Sequence, residues 1–209
     1  MTTVPPRLPL RPFPPLVWWG AALEGSATLD VHEHYQKRSF RNRYWIMTSN
    51  GPESCSVPVE RRGGIPRPQD QIFRAAGDAD RKAWQAVRSA YGRSPFFEEM
   101  APELEALFLE GGATLGEWNR ATVEWASGWL DIPVPRDAHP PWEPFDAAVV
   151  QEGDGMEDAR VPRWAHIWEG RHHDIPYQRL GILDALLHLG PAARGLINPI
   201  PPSGFRHPG

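Results

Sequence analysis

The stretch ATLDVHEHYQKRSFRNRYWIMTSNGPESCSVPV, residues 27–59, holds most of the strand-forming sequence of this 209-residue chain. Residues 27–31 have the β-branched and apolar character of a strand. Two further runs, 44–48 and 54–59, flank the turn-forming residues 49–52, and this pattern indicates a β-hairpin. The sequence therefore predicts a strand, a polar connection and a hairpin in the N-terminal third of the chain.

The sequence on either side of this stretch predicts one more strand and several helices. Residues 7–10 are expected to form a strand that enters the proline-rich loop 11–15, and residues 16–23 one or two helical turns. After the basic loop 61–68, apolar side chains recur at helical spacing in the segments 80–91, 104–108, 115–130 and 180–189. Short helices are also predicted after Ser94-Pro95 and from Pro191. One stripe of the 115–130 helix holds Trp118, Thr122, Trp125 and Trp129.

These elements predict one α/β domain, 1–209, with an α+β tendency. A small N-terminal mixed sheet with a hairpin would be packed by helices from the middle and C-terminal parts, with the core spanning about residues 7–197. Residues 133–162 are rich in proline, glycine and acid, and we expect an exposed excursion there. The proline-rich tail 198–209 is expected to be frayed.

The composition argues against several classes of protein. A net charge of −4 disfavours general nucleic-acid binding, which needs a basic surface. No segment approaches the roughly 18 apolar residues of a membrane-spanning helix. The single cysteine, Cys55, rules out an internal disulfide and suits a reducing compartment. The N-terminus also lacks the pattern of a signal peptide, so a cytoplasmic location is expected.

The polar connection, residues 31–46, is the candidate functional site. It concentrates side chains that suit proton transfer and the binding of phosphate or carboxylate groups. If the strand continued to residue 34, His32 and His34 would project from one face and Glu33 would point away. A strand at 41–43 would likewise place both of its arginines on one face. The candidate residues are His32, His34, Tyr35, Lys37, Arg41, Asn42 and Arg43.

Each of these residues has an expected role. His34 and Lys37 are candidates for catalytic proton transfer. Arg41 and Arg43 would hold a phosphate or carboxylate and Asn42 would orient the acceptor, while His32 and Tyr35 would contribute to substrate binding. The alternative is structural, because a histidine pair often ends a strand and arginines often form a solvated edge. No cofactor is predicted; a divalent metal is conceivable only if His172 and His173 complete a site with the first pair.

Two residues outside this stretch also allow more than one interpretation. Asp184 lies in an apolar helix, where a buried carboxylate needs a partner such as Arg43, and a structural role is favoured. Cys55 lies in a predicted hairpin strand. Paired with His34 it would suggest acyl transfer through a thioester, whereas lone cysteines commonly form part of an inert core.

The order of short motifs in the chain resembles the WbqC-like protein family. The resemblance covers roughly residues 7–197. The motifs that carry it are Phe13-Pro14-Pro15, Lys37, Arg41-Asn42-Arg43, Pro58-Val59, Trp84, Tyr91-Gly92, Ser94-Pro95-Phe96-Phe97, Ile182-Leu183-Asp184-Ala185-Leu186-Leu187 and Gly190-Pro191. Where many members have Asp-Asp-x-Gln-Tyr before the lysine, this chain has Val31-His32-Glu33-His34-Tyr35, so a carboxylate role is not carried over. Gly181 stands where a serine is common.

The resemblance implies a cytoplasmic protein associated with O-antigen and other surface-polysaccharide genes of bacteria. On that basis we expect a transferase that acts on an activated sugar or amino sugar with a phosphate or carboxylate group. Whether the transferred group is acyl, aminoacyl or glycosyl stays open. The alternative is a non-catalytic protein that binds a ligand or a protein partner through an aromatic surface formed by the Phe13-Pro14-Pro15 loop, Trp18 and Trp19.

Overall fold

The computed structural model describes residues 7–23, 25, 27–35, 40–60, 68–75, 77–138 and 181–197. In these residues the strands are β1 (Arg7–Pro9), β2 (Thr28–Asp30), β3 (Arg43–Thr48), β4 (Gly51–Ser56) and β5 (Arg136–Asp137). The helices are α1 (Leu16–Leu23), α2 (Asp78–Tyr91), α3 (Phe97–Glu110), α4 (Leu115–Leu130) and α5 (Ile182–Leu189). Short 3-10 helices span Phe40–Asn42, Gln69–Gln71 and Gly190–Leu196. The mixed α and β content confirms the predicted α+β tendency.

The described strands form two small sheets, one parallel and one antiparallel, where the sequence predicted a small mixed sheet with a hairpin. β1, β2 and β5 pair in parallel, with Leu8 opposite Leu29 and Leu29 opposite Asp137. β3 and β4 form the predicted antiparallel hairpin, with Tyr44 opposite Cys55. β5 lies in the segment that was expected to be an exposed excursion. A strand of two residues is too short to produce an alternating pattern, and the sequence gives no sign of it.

The helix boundaries follow local capping chemistry. At the start of α4 the Thr114 hydroxyl accepts the Glu117 N–H at 3.2 Å, while the Glu117 carboxylate accepts the Thr114 N–H at 3.0 Å, a reciprocal capping box. The two segments predicted around 95–108 are one continuous helix, α3, which contains Pro102. Pro102 lies in the second turn of α3 and removes one internal N–H donor, and the helix nevertheless continues through it.

Aromatic residues fill the core around Phe13. Its ring lies 5.4 Å from that of Tyr44 in an edge-on arrangement and 5.8 Å from that of Trp118. Trp18 and Trp19 are completely buried as well. The predicted aromatic docking surface is therefore wrong, because the rings that would form it are packed inside the protein.

The Phe13-Pro14-Pro15 loop is clamped between two helices. Phe13 has a φ of 41°, a left-handed backbone that non-glycine residues rarely adopt. Its N–H donates to Thr122 Oγ1 on α4 at 3.1 Å, and the Pro14 carbonyl accepts the Ile182 N–H of α5 at 2.9 Å. These contacts fix the chain directly after β1, at the carboxyl end of the parallel sheet.

Candidate functional site

The carboxyl edge of the parallel sheet brings two loops together. Because β1 and β2 run in parallel, Leu10 and Arg11 after β1 lie at the same edge as residues 31–35 after β2. β2 ends at Asp30, within the predicted strand 27–31, so the condition under which His32 and His34 would share one strand face is not met. This edge is where ligands bind in many parallel sheets, and it holds the polar segment that the sequence singled out.

Residues 32–34 alternate between solvent and interior. His32 and His34 are exposed, and the backbone of His34 forms an antiparallel bridge with Pro68. Glu33 between them turns inward and forms an ion pair with Arg41. The ion pair of the Glu33 carboxylate holds the segment against the interior, and the imidazoles of His32 and His34 stay on the solvent side.

Arg41 is the buried cation of the site. It lies in the 3-10 turn Phe40–Asn42, so it does not share a strand face with Arg43, contrary to the prediction. Its guanidinium carbon is 5.0 Å from the centroid of the Phe40 ring, within cation–π range. Burial lowers the pKa of Arg41, and the Asp30 carboxylate acts in the opposite direction.

Asn42 ties the site to the hairpin. Its Nδ2 donates to the Val57 carbonyl at 3.0 Å, and the Asn42 carbonyl accepts the Val57 N–H at 2.8 Å. The amide oxygen Oδ1 is buried and accepts no hydrogen bond from any described residue. The Asn42 amino group is therefore already engaged, and Oδ1 is the atom left to accept a hydrogen bond.

Tyr35 and Arg43 are both half-buried, and Tyr35 directly follows the exposed His34 in the sequence. Burial raises the pKa of the Tyr35 hydroxyl, and the positive charge of Arg43 opposes that shift. Both remain partly open to solvent, so they can contact a ligand.

An amide relay behind the site was not anticipated from the sequence. Asn119 on α4 is fully buried, and its Nδ2 donates to the Arg41 carbonyl at 2.8 Å and to Gln69 Oε1 at 2.7 Å. Gln69 Nε2 in turn donates to the Leu10 carbonyl at 2.9 Å. The sequence contained one signal for Asn119. This residue lies beside Trp118 and Thr122 on the buried side of α4, where a polar side chain needs a hydrogen-bond partner.

Part of the predicted site lies outside the described residues, namely Lys37, His172 and His173. The roles assigned to these three residues stay predictions. Within the described residues, no three or more His, Cys, Asp or Glu side chains are grouped so that they could hold a metal ion.

Cys55 pairs across the hairpin with Tyr44. Burial and the Glu53 carboxylate raise the pKa of the thiol to about 11, although the Tyr44 hydroxyl acts in the opposite direction. A thiol with that pKa is protonated at neutral pH, whereas a nucleophilic cysteine needs a lowered pKa. The thioester hypothesis with His34 gains no support from this environment.

Asp184 is completely buried, and its partner is Tyr91 rather than Arg43. The Tyr91 hydroxyl donates to Asp184 Oδ1 at 2.9 Å. His188 Nδ1 lies 2.8 Å from the Asp184 carbonyl oxygen, one helical turn away. The predicted contact with Arg43 is wrong, and the favoured structural role agrees with a carboxylate that joins α5 to α2.

The fold and the candidate residues together define a small α+β domain that carries a polar segment at the carboxyl edge of a parallel sheet. The chain belongs to the WbqC-like protein family, whose sequence model matches residues 27–144, more than half of its length. The match includes β2, the polar segment, the hairpin and α2 to α4. In the described part of the chain no helix is long and apolar enough to cross a membrane.

A similar protein is itself uncharacterized, so the comparison with it assigns no activity to this chain. The chain is 30% identical over 99 residues to the uncharacterized protein Rv1507c of Mycobacterium tuberculosis. That match covers 47% of this chain and 43% of the relative, so the chain spans less than half of the relative's length in the comparison. No solved structure matches the chain.

Proposed function

We propose that this protein is a cytoplasmic transferase that acts on an activated sugar or amino sugar in surface-polysaccharide assembly of the O-antigen type. One observation carries the proposal: the Glu33–Arg41 ion pair anchors the segment after β2 and leaves His34 exposed. Tyr35 follows His34 in the sequence, and the positive charge of Arg43 acts on the Tyr35 hydroxyl. A group able to accept a proton thus adjoins a cation, which is what transfer from an anionic donor needs.

The proposed roles follow from the chemistry of each side chain. Arg43, supported by Arg41, binds the phosphate or carboxylate of the substrate. His34 accepts the proton of an acceptor hydroxyl or amine while the acceptor atom bonds to the transferred group. The leaving group departs with the bonding electron pair as an anion, and the arginines stabilise its charge. Lys37, outside the described residues, is retained as the second proton-transfer residue.

The remaining candidates position the substrate. Asn42 Oδ1 accepts a hydrogen bond from an acceptor hydroxyl or amine, since its amino group already binds Val57. His32 and Tyr35 contact the sugar from the solvent side of the segment. The transfer is not a redox reaction and therefore calls for no redox cofactor.

A thermal-shift panel tests the proposal. Wild type, Arg43→Ala and Arg88→Ala are compared with nucleotide sugars, acyl thioesters, amino acids, and divalent metals with a chelator control. Arg88 is an exposed arginine on α2 and serves as the matched control. A ligand at ~100 times its Kd adds about 2.7 kcal/mol to the free energy of unfolding. The expected result is a shift with a nucleotide sugar that Arg43→Ala loses and Arg88→Ala keeps.

Turnover then separates an enzyme from a binding protein. With the nucleotide sugar identified by the panel, His34→Ala is expected to bind the ligand as wild type does and to lose product formation. Equal turnover in wild type and His34→Ala would remove the assigned role of His34. Binding without any turnover in the wild type would favour the non-catalytic alternative, and no shift from any panel member would contradict the transferase proposal.

A further inference from the structure

Helix α3 carries an apolar stripe on its solvent side as well as on its core side. Opposite the buried residues of the helix, three exposed apolar residues recur at positions i, i+4 and i+7, and we call them the outer stripe: Pro102, Ala106 and Leu109. Leu109 is 40% exposed, one of two large apolar side chains in the described part of the chain that reach this exposure. A surface helix normally needs only the apolar stripe that faces the core. The outer stripe is therefore a candidate contact surface.

Carboxylates flank the outer stripe on both sides. All the charged residues of α3 are acidic and exposed, and they are Glu98, Glu99, Glu103, Glu105 and Glu110. Tryptophans of the neighbouring helices hold two of them, since Trp84 Nε1 on α2 donates to Glu105 at 3.0 Å and Trp129 Nε1 on α4 donates to Glu103 at 2.9 Å. The other three form no ion pair with any residue that the structure describes. The outer stripe thus has an acidic rim without cations of its own.

Helix α2 packs directly against α3 and presents charges of the opposite sign. The Trp84 ring of α2 stacks on the Phe97 ring of α3 with the centroids 5.9 Å apart. On the solvent side of α2, Asp78 is neutralised by Arg81. The same side exposes residues at helical spacing that we call the basic stripe: Lys82, Gln85, Ser89 and, just after the helix, Arg93. Its two cations form no ion pair within the described part of the chain, so the adjacent charges of α2 and α3 do not neutralise each other in one molecule.

We propose that two copies of this chain associate through these surfaces, with the outer stripe of α3 in one copy packed on the basic stripe of α2 in the other. The charges select this pairing, because contact between two α3 faces or between two α2 faces would place like charges opposite each other. A two-fold axis along the seam between α2 and α3 lets the favourable contact form twice, as in an isologous dimer. This inference is independent of the proposed function.

The interface has an apolar centre and a charged rim. The aliphatic stems of Lys82 and Arg93 cover the outer stripe, and their charged ends reach the flanking carboxylates. Glu103 and Glu105 are already held by indole N–H groups, so they lose less side-chain freedom on contact. Each exposed ion pair contributes little on its own. We therefore expect a weak, reversible dimer whose affinity depends strongly on salt.

Sedimentation velocity on the full chain over a range of concentrations tests the dimer. Wild type is expected to dimerise at about 0.05 M salt and to dissociate at about 0.5 M salt, because salt screens the charges of the rim. A wild-type protein that stays monomeric at low salt overturns the proposal. Association that ignores salt overturns it as well, since charge would not select the pairing. Growth beyond the dimer would contradict the two-fold arrangement, in which both contacts are used up.

Two charge-reversal variants identify the surfaces. One carries Glu98→Lys with Glu110→Lys on α3, and the other carries Lys82→Glu with Arg93→Glu on the basic stripe. Each variant alone should dimerise about tenfold more weakly or worse, because both of its contacts then oppose like charges. An equimolar mixture should recover the wild-type affinity. In the mixed dimer the reversed α3 meets the reversed α2, and the second contact is the native one.

The matched control is Glu53→Lys with Asp70→Lys. Both residues are exposed and lie outside α2 and α3, and the double substitution changes the net charge by the same amount as the α3 variant. The control should dimerise as wild type does. Equal weakening in the control, or a mixture of the two folded reversal variants that stays monomeric, would overturn the pairing of α3 with α2. The salt dependence of the wild type tests the proposal even if a reversal variant does not fold.

Discussion

The hydroxyl of Tyr91 lies 2.9 Å from Oδ1 of Asp184, and it uses both of its hydrogen-bonding functions. It donates to the carboxylate and accepts the backbone N–H of Met47 at 2.8 Å. One oxygen atom therefore joins α2, α5 and the hairpin strand β3. Tyr91 and Asp184 come from two motifs of the family resemblance that are more than ninety positions apart in the sequence.

Removal of that hydroxyl should destabilise the protein. Tyr91→Phe leaves the Met47 N–H and the Asp184 carboxylate buried without this partner, and each unsatisfied group costs about 1–3 kcal/mol. We expect the free energy of unfolding to fall by about 3 kcal/mol, measured by urea denaturation followed through tryptophan fluorescence. Tyr35→Phe, at a half-buried tyrosine, is the control and should change stability little. Equal stability of Tyr91→Phe and wild type would refute the importance of this hydrogen bond.

The same carboxylate should make stability depend on pH. Burial raises the pKa of Asp184, while His188 and the Tyr91 hydrogen bond act to lower it. A raised folded-state pKa contributes stability below the unfolded value of about 3.9, and this contribution is lost as pH rises through the folded-state pKa. The stability of wild type minus that of Asp184→Asn should therefore decrease from pH 4 upward. A difference that stays flat or increases would contradict the shift.

Gly181 should not tolerate a side chain. A Cβ at this position would lie 2.3 Å from the Phe13 carbonyl oxygen, a backbone atom that Thr122 and Ile182 hold in place through neighbouring hydrogen bonds. Gly181→Ala should destabilise the protein by about 1–3 kcal/mol in chemical denaturation, as overpacking does.

Gly128 provides the matched control for that substitution. It lies inside α4, and a Cβ there meets nothing within 4 Å. Because alanine is a better helix former than glycine, Gly128→Ala should stabilise the protein by about 0.5–1 kcal/mol. If Gly181→Ala proved as stable as Gly128→Ala, the close approach to Phe13 would be disproved.

Cys55 should react slowly with thiol reagents in the folded protein. With a pKa of about 11, only about one thiol in a thousand is ionised at pH 8, and the thiolate is the reactive form. Iodoacetamide labelling followed by mass spectrometry should accelerate about tenfold per pH unit up to the pKa. Urea-unfolded protein, with an ordinary thiol pKa, is the control. Glu53→Gln should increase the folded-state rate, because the Glu53 carboxylate helps to raise the pKa.

The sequence predicted the elements that have a strong local pattern. α2 and α4 follow from apolar residues at helical spacing, Gly92 ends α2, and Thr114 caps α4. The hairpin was predicted from the turn-forming residues between two runs, although its second strand covers Gly51–Ser56 rather than 54–59. These signals lie within one element or between neighbouring ones, and they require no knowledge of what packs against them.

The predictions that failed concern features that depend on contacts between distant segments of the chain. β5 has only two residues and is defined by its partner β2. Trp18 and Trp19 were placed on a surface because no local signal shows which elements cover them. Glu33 and Asn119 gain their roles from Arg41, which each meets only in the folded chain. Side-chain type singled out the polar segment, and tertiary contacts decide which of its groups are anchored and which face solvent.

The parallel sheet also has a consequence for folding kinetics. Its β2–β5 pair joins residue 28 to residue 136, whereas the β3–β4 hairpin joins neighbouring strands. Pairing between distant residues is slow, because closing a long loop costs entropy before the contacts form. Pulse-labelled hydrogen exchange should therefore protect the hairpin amides before those of β5. A nascent chain would acquire its hairpin early and the edge that carries the polar segment only when the three-stranded sheet is complete.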